Sequence, residues 1–154
     1  MNMQQQPTKA FRIASMAALL TGVGAYFIGL YNATMGLNEK GYYFTIMLFG
    51  LFSVVSLQKT VRDKMEGIPT TKAYFLASCV ATASSIALLI IGLINAELLL
   101  SEKGFFGMAF ILSLFAAITV QKNVRDGQNN IDSTAKHNVA SDVSGIADTE
   151  VLEG

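Results

Sequence analysis

At 154 residues with no net charge, the chain has the length of one soluble domain, yet 52% of it is hydrophobic and only 14% charged. The apolar residues fall in four long blocks with nearly all the charge between them, and blocks without a polar face fit lipid rather than water. Zero net charge gives no footprint for nucleic acid, and a single cysteine, Cys79, excludes an intramolecular disulfide.

The polar start MNMQQQPTKAFR, residues 1–12, precedes a first apolar block over about Ile13–Tyr31. That block exceeds the roughly 7–15 residues of a signal-peptide core, and a second block follows at once, so it reads as a retained anchor. Ala10, Ala14, Ala18 and Gly22 recur at every fourth position, which places them on one helical face. Helices in lipid gain little from hiding apolar surface from one another, and small residues let them approach closely. This face is therefore predicted to pack the first helix against the third, or against another protomer. Asn32 closes the helix, as Asn does by satisfying stray backbone groups. Beyond the turn, Asn38 is predicted to be the N-cap, Glu39 a first-turn acid suited to the helix dipole, and Lys40 a snorkelling cation.

The second block, about Tyr42–Leu57, falls slightly short of the roughly 17 residues that cross a 30 Å hydrocarbon core. Gln58 and Lys59 can lengthen it while their polar ends reach the interface. They open the word QKTVRD, Gln58–Asp63, in which Lys59 and Asp63 stand four apart and can meet on one face. An exposed pair of that kind contributes only about 0.3–0.5 kcal/mol, too little to account for the word by stability.

After a linker over 64–70 the chain begins again. Thr8–Asp63 aligns with Thr71–Asp126 without a gap, with well over a third of the columns identical. TKA, IGLxNA, EKG and QKxVRD each occur twice in register, which chance does not supply. The third block, about Ala73–Ile94, repeats the small-residue spacing at Ala73, Ala77, Ala81 and Ser85 and ends on Asn95. Ser101 is predicted as the cap of the fourth helix, followed by Glu102 and Lys103, and the block Phe105–Val120 leads to Gln121, Lys122, Arg125 and Asp126. After Gly127 the composition turns polar and mildly acidic without aromatic residues, so residues 127–154 are expected to be disordered.

Nine basic residues, among them Lys9, Arg12, Arg62, Lys64, Lys72 and Lys136, lie on one side of this pattern, and only Lys40 and Lys103 lie on the other. By the positive-inside rule both termini and the middle linker are cytoplasmic. The expected fold is an all-α membrane protein: four transmembrane helices built as two tandem helical hairpins of the same orientation, related by an axis along the membrane normal.

NEKGYYF (Asn38–Phe44), GLFSVVSLQKTVRDK (Gly50–Lys64), EGIPTTK (Glu66–Lys72), LLLSEKGFFG (Leu98–Gly107) and QKNVRD resemble the YiaA/YiaB two-helix inner-membrane family, in particular its members with two modules in one chain. The resemblance covers about Thr8–Asp126. The sequence departs from the family at Tyr31 and Ile94, where Trp is frequent. The resemblance implies a multi-pass protein of the bacterial inner membrane with no established biochemical role, and it brings no catalytic residues.

The spans hold no Asp, Glu, Lys, Arg or His between Ile13 and Leu30, Tyr42 and Leu57, Tyr74 and Ile94, or Phe105 and Val120. An ion-coupled transporter usually carries such a residue, and Glu97 at the edge is the nearest. The one histidine, His137, lies in the tail, and no nucleophile–base pair, metal-ligand cluster or phosphate loop appears, so no enzyme and no cofactor are expected. The expected role is a non-catalytic membrane-interaction or stress-related accessory protein. Its partners would be membrane lipids, with anionic headgroups at Lys59, Arg62, Lys122 and Arg125, or a second copy or another membrane protein. The alternative is an oligomeric passive channel lined by hydroxyls such as Ser84, Ser85 and Ser113. Asn32 and Asn95 are the weaker candidates for a ligand pair.

Overall fold

A computed structural model describes residues 7–152, without the side chains of 129, 130, 132, 137, 138 and those from 140 onward. Four helices follow in chain order: α1 Lys9–Asn32, α2 Leu37–Met65, α3 Lys72–Asn95 and α4 Leu100–Leu152. All four are long and apolar enough to cross a membrane. Thr8 caps α1 by accepting the Phe11 amide at 3.2 Å. At the end of α2, Gly67 takes a φ of 73° and the Ile68 amide reaches back to the Asp63 carbonyl at 2.8 Å, a Schellman stop that glycine permits. Lys64 and Met65 belong to α2 and α3 begins at Lys72, so residues 66–71 join the two helices.

The two hairpins are open, and each leans on the other. α1 packs along α4, α3 packs along α2, and α2 meets α4 in the middle, while the two helices within a hairpin share little surface. Glycines mark the close approaches. A Cβ on Gly29 would come within 2.6 Å of the Phe105 ring, and at the equivalent place in the other copy a Cβ on Gly92 would come within 2.6 Å of the Tyr42 ring. On Gly22 it would lie 2.7 Å from Ser113 Oγ and 3.0 Å from the Ser113 backbone nitrogen; on Gly50, 2.7 Å from the Phe110 ring.

The predicted contact between the first and third helices is thus corrected: α1 and α3 do not touch among the described residues. The four-residue stripe is only half buried in its course. Ala10, Ala14, Ala73 and Ala77 are exposed, Ala18 and Ala81 are half-buried, and only Gly22 and Ser85 are buried. The faces that do pack follow a seven-residue spacing instead, Ser15, Gly22 and Gly29 on α1 and Ser78, Ser85 and Gly92 on α3. Two turns of a helix return to nearly the same face every seven residues, whereas steps of four drift around it.

Tyr26, Met47 and Phe110 fill the centre, with Tyr43, Phe106 and Leu114 around them. The Tyr26 ring meets Phe106 edge-on at 5.4 Å, and its hydroxyl donates to the Tyr43 carbonyl at 2.9 Å, so the one polar atom of the central aromatic is satisfied. Ser53, Ser85 and Ser113 are buried and return their hydrogen bonds to carbonyls of their own helices.

Residues 127–152 continue α4 as helix. The stretch contains no proline to interrupt the register begun at Leu100. Its described side chains from Gln128 to Val139 are nonetheless exposed, so the premise of little burial holds while the helix persists.

Candidate functional site

The repeated polar words gather at the two ends of the bundle. One end, here the turn end, holds the two hairpin turns; the opposite linker end holds the start of α1, the α2–α3 linker and the point where α4 leaves the bundle.

At the turn end, each copy uses the same three residues to close its hairpin. Asn32 Nδ2 donates to the Ile28 carbonyl at 2.8 Å, and Asn95 Nδ2 to the Ile91 carbonyl at 2.7 Å, finishing α1 and α3. Glu39 Oε2 accepts the Gly36 amide at 3.0 Å and Glu102 Oε2 the Leu99 amide at 2.9 Å, opening α2 and α4. Lys40 Nζ donates to the Tyr31 carbonyl at 2.8 Å, and Lys103 Nζ to the Ile94 carbonyl at 3.3 Å. Two expectations change here. The helices begin at Leu37 and Leu100, so Asn38 and Ser101 lie inside the first turn and are not the caps. The lysines cap the carbonyl ends of the preceding helices instead of simply reaching outward, because the turn brings each ammonium over those orphaned carbonyls. Three hollows lie among these residues. A central one of about 390 Å³ between the turns is lined by Glu39 and Glu97, and two equivalent clefts of about 300 and 280 Å³ are lined by Asn32 with Glu102 and by Asn95 with Glu39.

At the linker end, the two QKxVRD words interlock. Arg62 donates to Asp126 at 2.9 Å, and Arg125 to Asp63 at 3.4 Å, so the arginine of each copy takes the aspartate of the other. Glu66 joins them, its two oxygens each 2.9 Å from one guanidinium, Arg62 and Arg125. Asp63, which the spacing paired with Lys59, is thereby held by Arg125 of the opposite copy. A sequence read one helix at a time sees only neighbours on its own surface, and this knot forms across the α2–α4 contact.

The position between Lys and Val in the word, left as "x" in the sequence pattern, is the buried one. Thr60 is fully buried and bonds the Ser56 carbonyl at 2.7 Å. Asn123, its counterpart, donates to Ser15 Oγ at 2.8 Å and ties α4 to α1. Sequence reasoning missed Asn123; the signal available was an amide placed three residues beyond an apolar span on its inward face. Gln58 and Gln121 are half-buried, and Gln121 Oε1 has no hydrogen-bond partner among the described residues. Lys59 and Lys122 are exposed on the two sides of the knot. Arg12 lies beside Gly127, where a Cβ would come within 3.2 Å of its guanidinium. Cys79 is a half-buried free thiol, and the side chain of His137 lies outside the described residues.

Comparison with known proteins agrees with the two-copy architecture. The yiaA/B two helix domain matches twice, over residues 11–63 and 74–126. The chain is 59% identical to the inner membrane protein YiaA of Escherichia coli (strain K12) over 121 residues, which is 79% of this chain and 83% of that protein. It is 38% identical to the uncharacterized membrane protein YubF of Bacillus subtilis (strain 168) over 64 residues, 41% of this chain and 74% of that protein. No solved structure matches. With both copies of the domain present in tandem and four membrane-spanning helices built from them, the chain belongs to the YiaA/YiaB two-helix family of inner-membrane proteins.

Proposed function

We propose that the chain is a non-catalytic accessory protein of the inner membrane that works through a basic collar at its linker end, facing the cytoplasm and gripping anionic lipid headgroups. The observation that carries this reading is the division of labour within QKxVRD. The arginines are tied to Asp63, Glu66 and Asp126, whereas Lys59 and Lys122 are turned out on either side. Lys9, Arg12, Lys64 and Lys72 surround the same end, so eight basic side chains stand there against three acidic ones. Juxtamembrane cations attract an anionic leaflet by about 1 kcal/mol each. The headgroup contact therefore falls to Lys59 and Lys122 rather than to the arginines.

The test is retention of phosphatidylglycerol by the intact protein in native mass spectrometry. Lys59→Gln with Lys122→Gln is expected to lower retention about thirtyfold, from two cations at about 1 kcal/mol each. Unchanged retention would remove the reading. The channel alternative draws less support, because Ser85 and Ser113 are fully buried in helix contacts with their hydroxyls bonded to their own helices. Solute flux through proteoliposomes that falls when these serines become Leu would reinstate it.

A further inference from the structure

Because α1 leans on α4 and α2 on α3, the first hairpin stands open to the lipid side near its turn. The opening is a groove of about 410 Å³ lined by Phe27, Leu30, Tyr31, Leu37, Gly41 and Phe44, with Lys40 as its one charged residue. The groove is shallow and open along its length, with apolar and aromatic walls and a single polar group, a shape that suits a chain laid along it rather than a small molecule enclosed in it.

We propose that this groove holds one phospholipid of the turn-side leaflet, an acyl chain lying along Phe27 and Phe44 and the phosphodiester on the Lys40 ammonium. Three observations support this occupant. First, the groove lies along a membrane-spanning segment, and its cation sits at the helix end, where headgroups lie. Lys40 spends one proton on the Tyr31 carbonyl and rests 5.9 Å above the Tyr31 ring, which leaves two donors on an ammonium held in place for an anion. Second, the neighbouring carboxylate is turned away. Glu39 accepts the Gly36 amide and lines the hollows on the other face, so it does not cancel the charge of Lys40 in the groove. Third, the feature belongs to one copy only. Phe27 and Phe44 stand with ring centres 5.3 Å apart, whereas the equivalent positions in the second copy carry Ile90 and Gly107, and Tyr31 is matched by Ile94. The repeat keeps Lys103 and Gly104 but not the aromatic walls, so one lipid per chain is expected.

Gly41 supplies the test. A Cβ added there meets nothing within 4 Å, and the same is true of Gly104 in the other copy. Gly41→Leu therefore fills the groove without disturbing a helix contact, and Gly104→Leu is its matched control. The full chain is reconstituted in nanodiscs of phosphatidylethanolamine and phosphatidylglycerol and released for native mass spectrometry. A diazirine-acyl phospholipid then maps where a chain lies. The expected result is one lipid that survives Lys59→Gln with Lys122→Gln, with crosslinks on Phe27 or Phe44. Gly41→Leu should abolish those crosslinks, and Lys40→Gln should lower retention about fivefold, while Gly104→Leu and Lys103→Gln leave both unchanged. Crosslinks spread evenly over the helices, or equal losses in the paired variants of the two copies, would overturn the proposal. Retention lost only with the Lys59 and Lys122 variants would overturn it too, while leaving the collar standing.

Discussion

Ala14 and Gly22 sit two turns apart on α1 and should answer the same substitution differently. At Gly22 any side chain drives into Ser113 and its backbone, so Gly22→Leu is expected to lower stability by about 1–3 kcal/mol, the usual cost of overpacking. Ala14 is exposed, and Ala14→Leu is expected to stay within about 0.5 kcal/mol of the parent. Thermal unfolding in detergent reads both, and an equal response would mean that α1 does not pack on α4 through this face. Asn123 belongs to the same scale. Asn123→Ala removes the buried bond to Ser15 and should cost about 0.6 kcal/mol, with an upper bound near 1.7, as interhelical bonds in membranes do. The importance of Asn123 was not legible because its neighbours in the word, Lys122 and Arg125, announce a surface; only the rotation of α4 shows that the residue between them faces inward.

At the scale of elements, the ends of α2 and α4 depend on each other. Arg62→Asp and Asp126→Arg should each weaken the bundle by about 0.2–1 kcal/mol, and the double variant should recover part of that loss by rebuilding the pair in reverse, the contact of Arg62 with Glu66 staying lost. The effect should shrink as salt is raised, since these groups are partly exposed. A double variant no better than the worse single would show that the cross-copy pair is not formed. The turns were legible to a greater degree. The repeated IGLxNA and EKG words pointed to helix ends, and Asn32, Asn95, Glu39 and Glu102 do satisfy backbone groups there. The register was off by two residues at the caps, because Gly36 and Leu99 offer no capping side chain and the acids reach back from within the first turn to their amides. Beyond the last apolar block α4 continues as helix. A lack of apolar surface argues against burial, but it does not break a helix already running.

For the whole molecule, the pairing of helices across copies makes a direct prediction. In a Cys79→Ser background, Gly22→Cys combined with Ser113→Cys should oxidise to a disulfide, because the added Cβ lies within 2.7 Å of the Ser113 side-chain atom. Gly22→Cys combined with Ser85→Cys should not, since α1 and α3 stay apart. A mobility shift on non-reducing gels distinguishes the two, and a reversed result would restore the contact expected from the small-residue stripe. The sequence by itself determined that the chain enters a membrane, how many times it crosses, and that it is one hairpin written twice. Partition from water into lipid depends on local composition, and a gapless repeat is visible without coordinates. Only the tertiary structure decided which helices touch, that each arginine holds the aspartate of the other copy, and that one hairpin opens into an aromatic groove. Once every block is apolar on all sides, lipid and neighbouring helix are nearly equivalent surroundings. The choice between them then rests on shape, on where a glycine lets a ring or a hydroxyl come close.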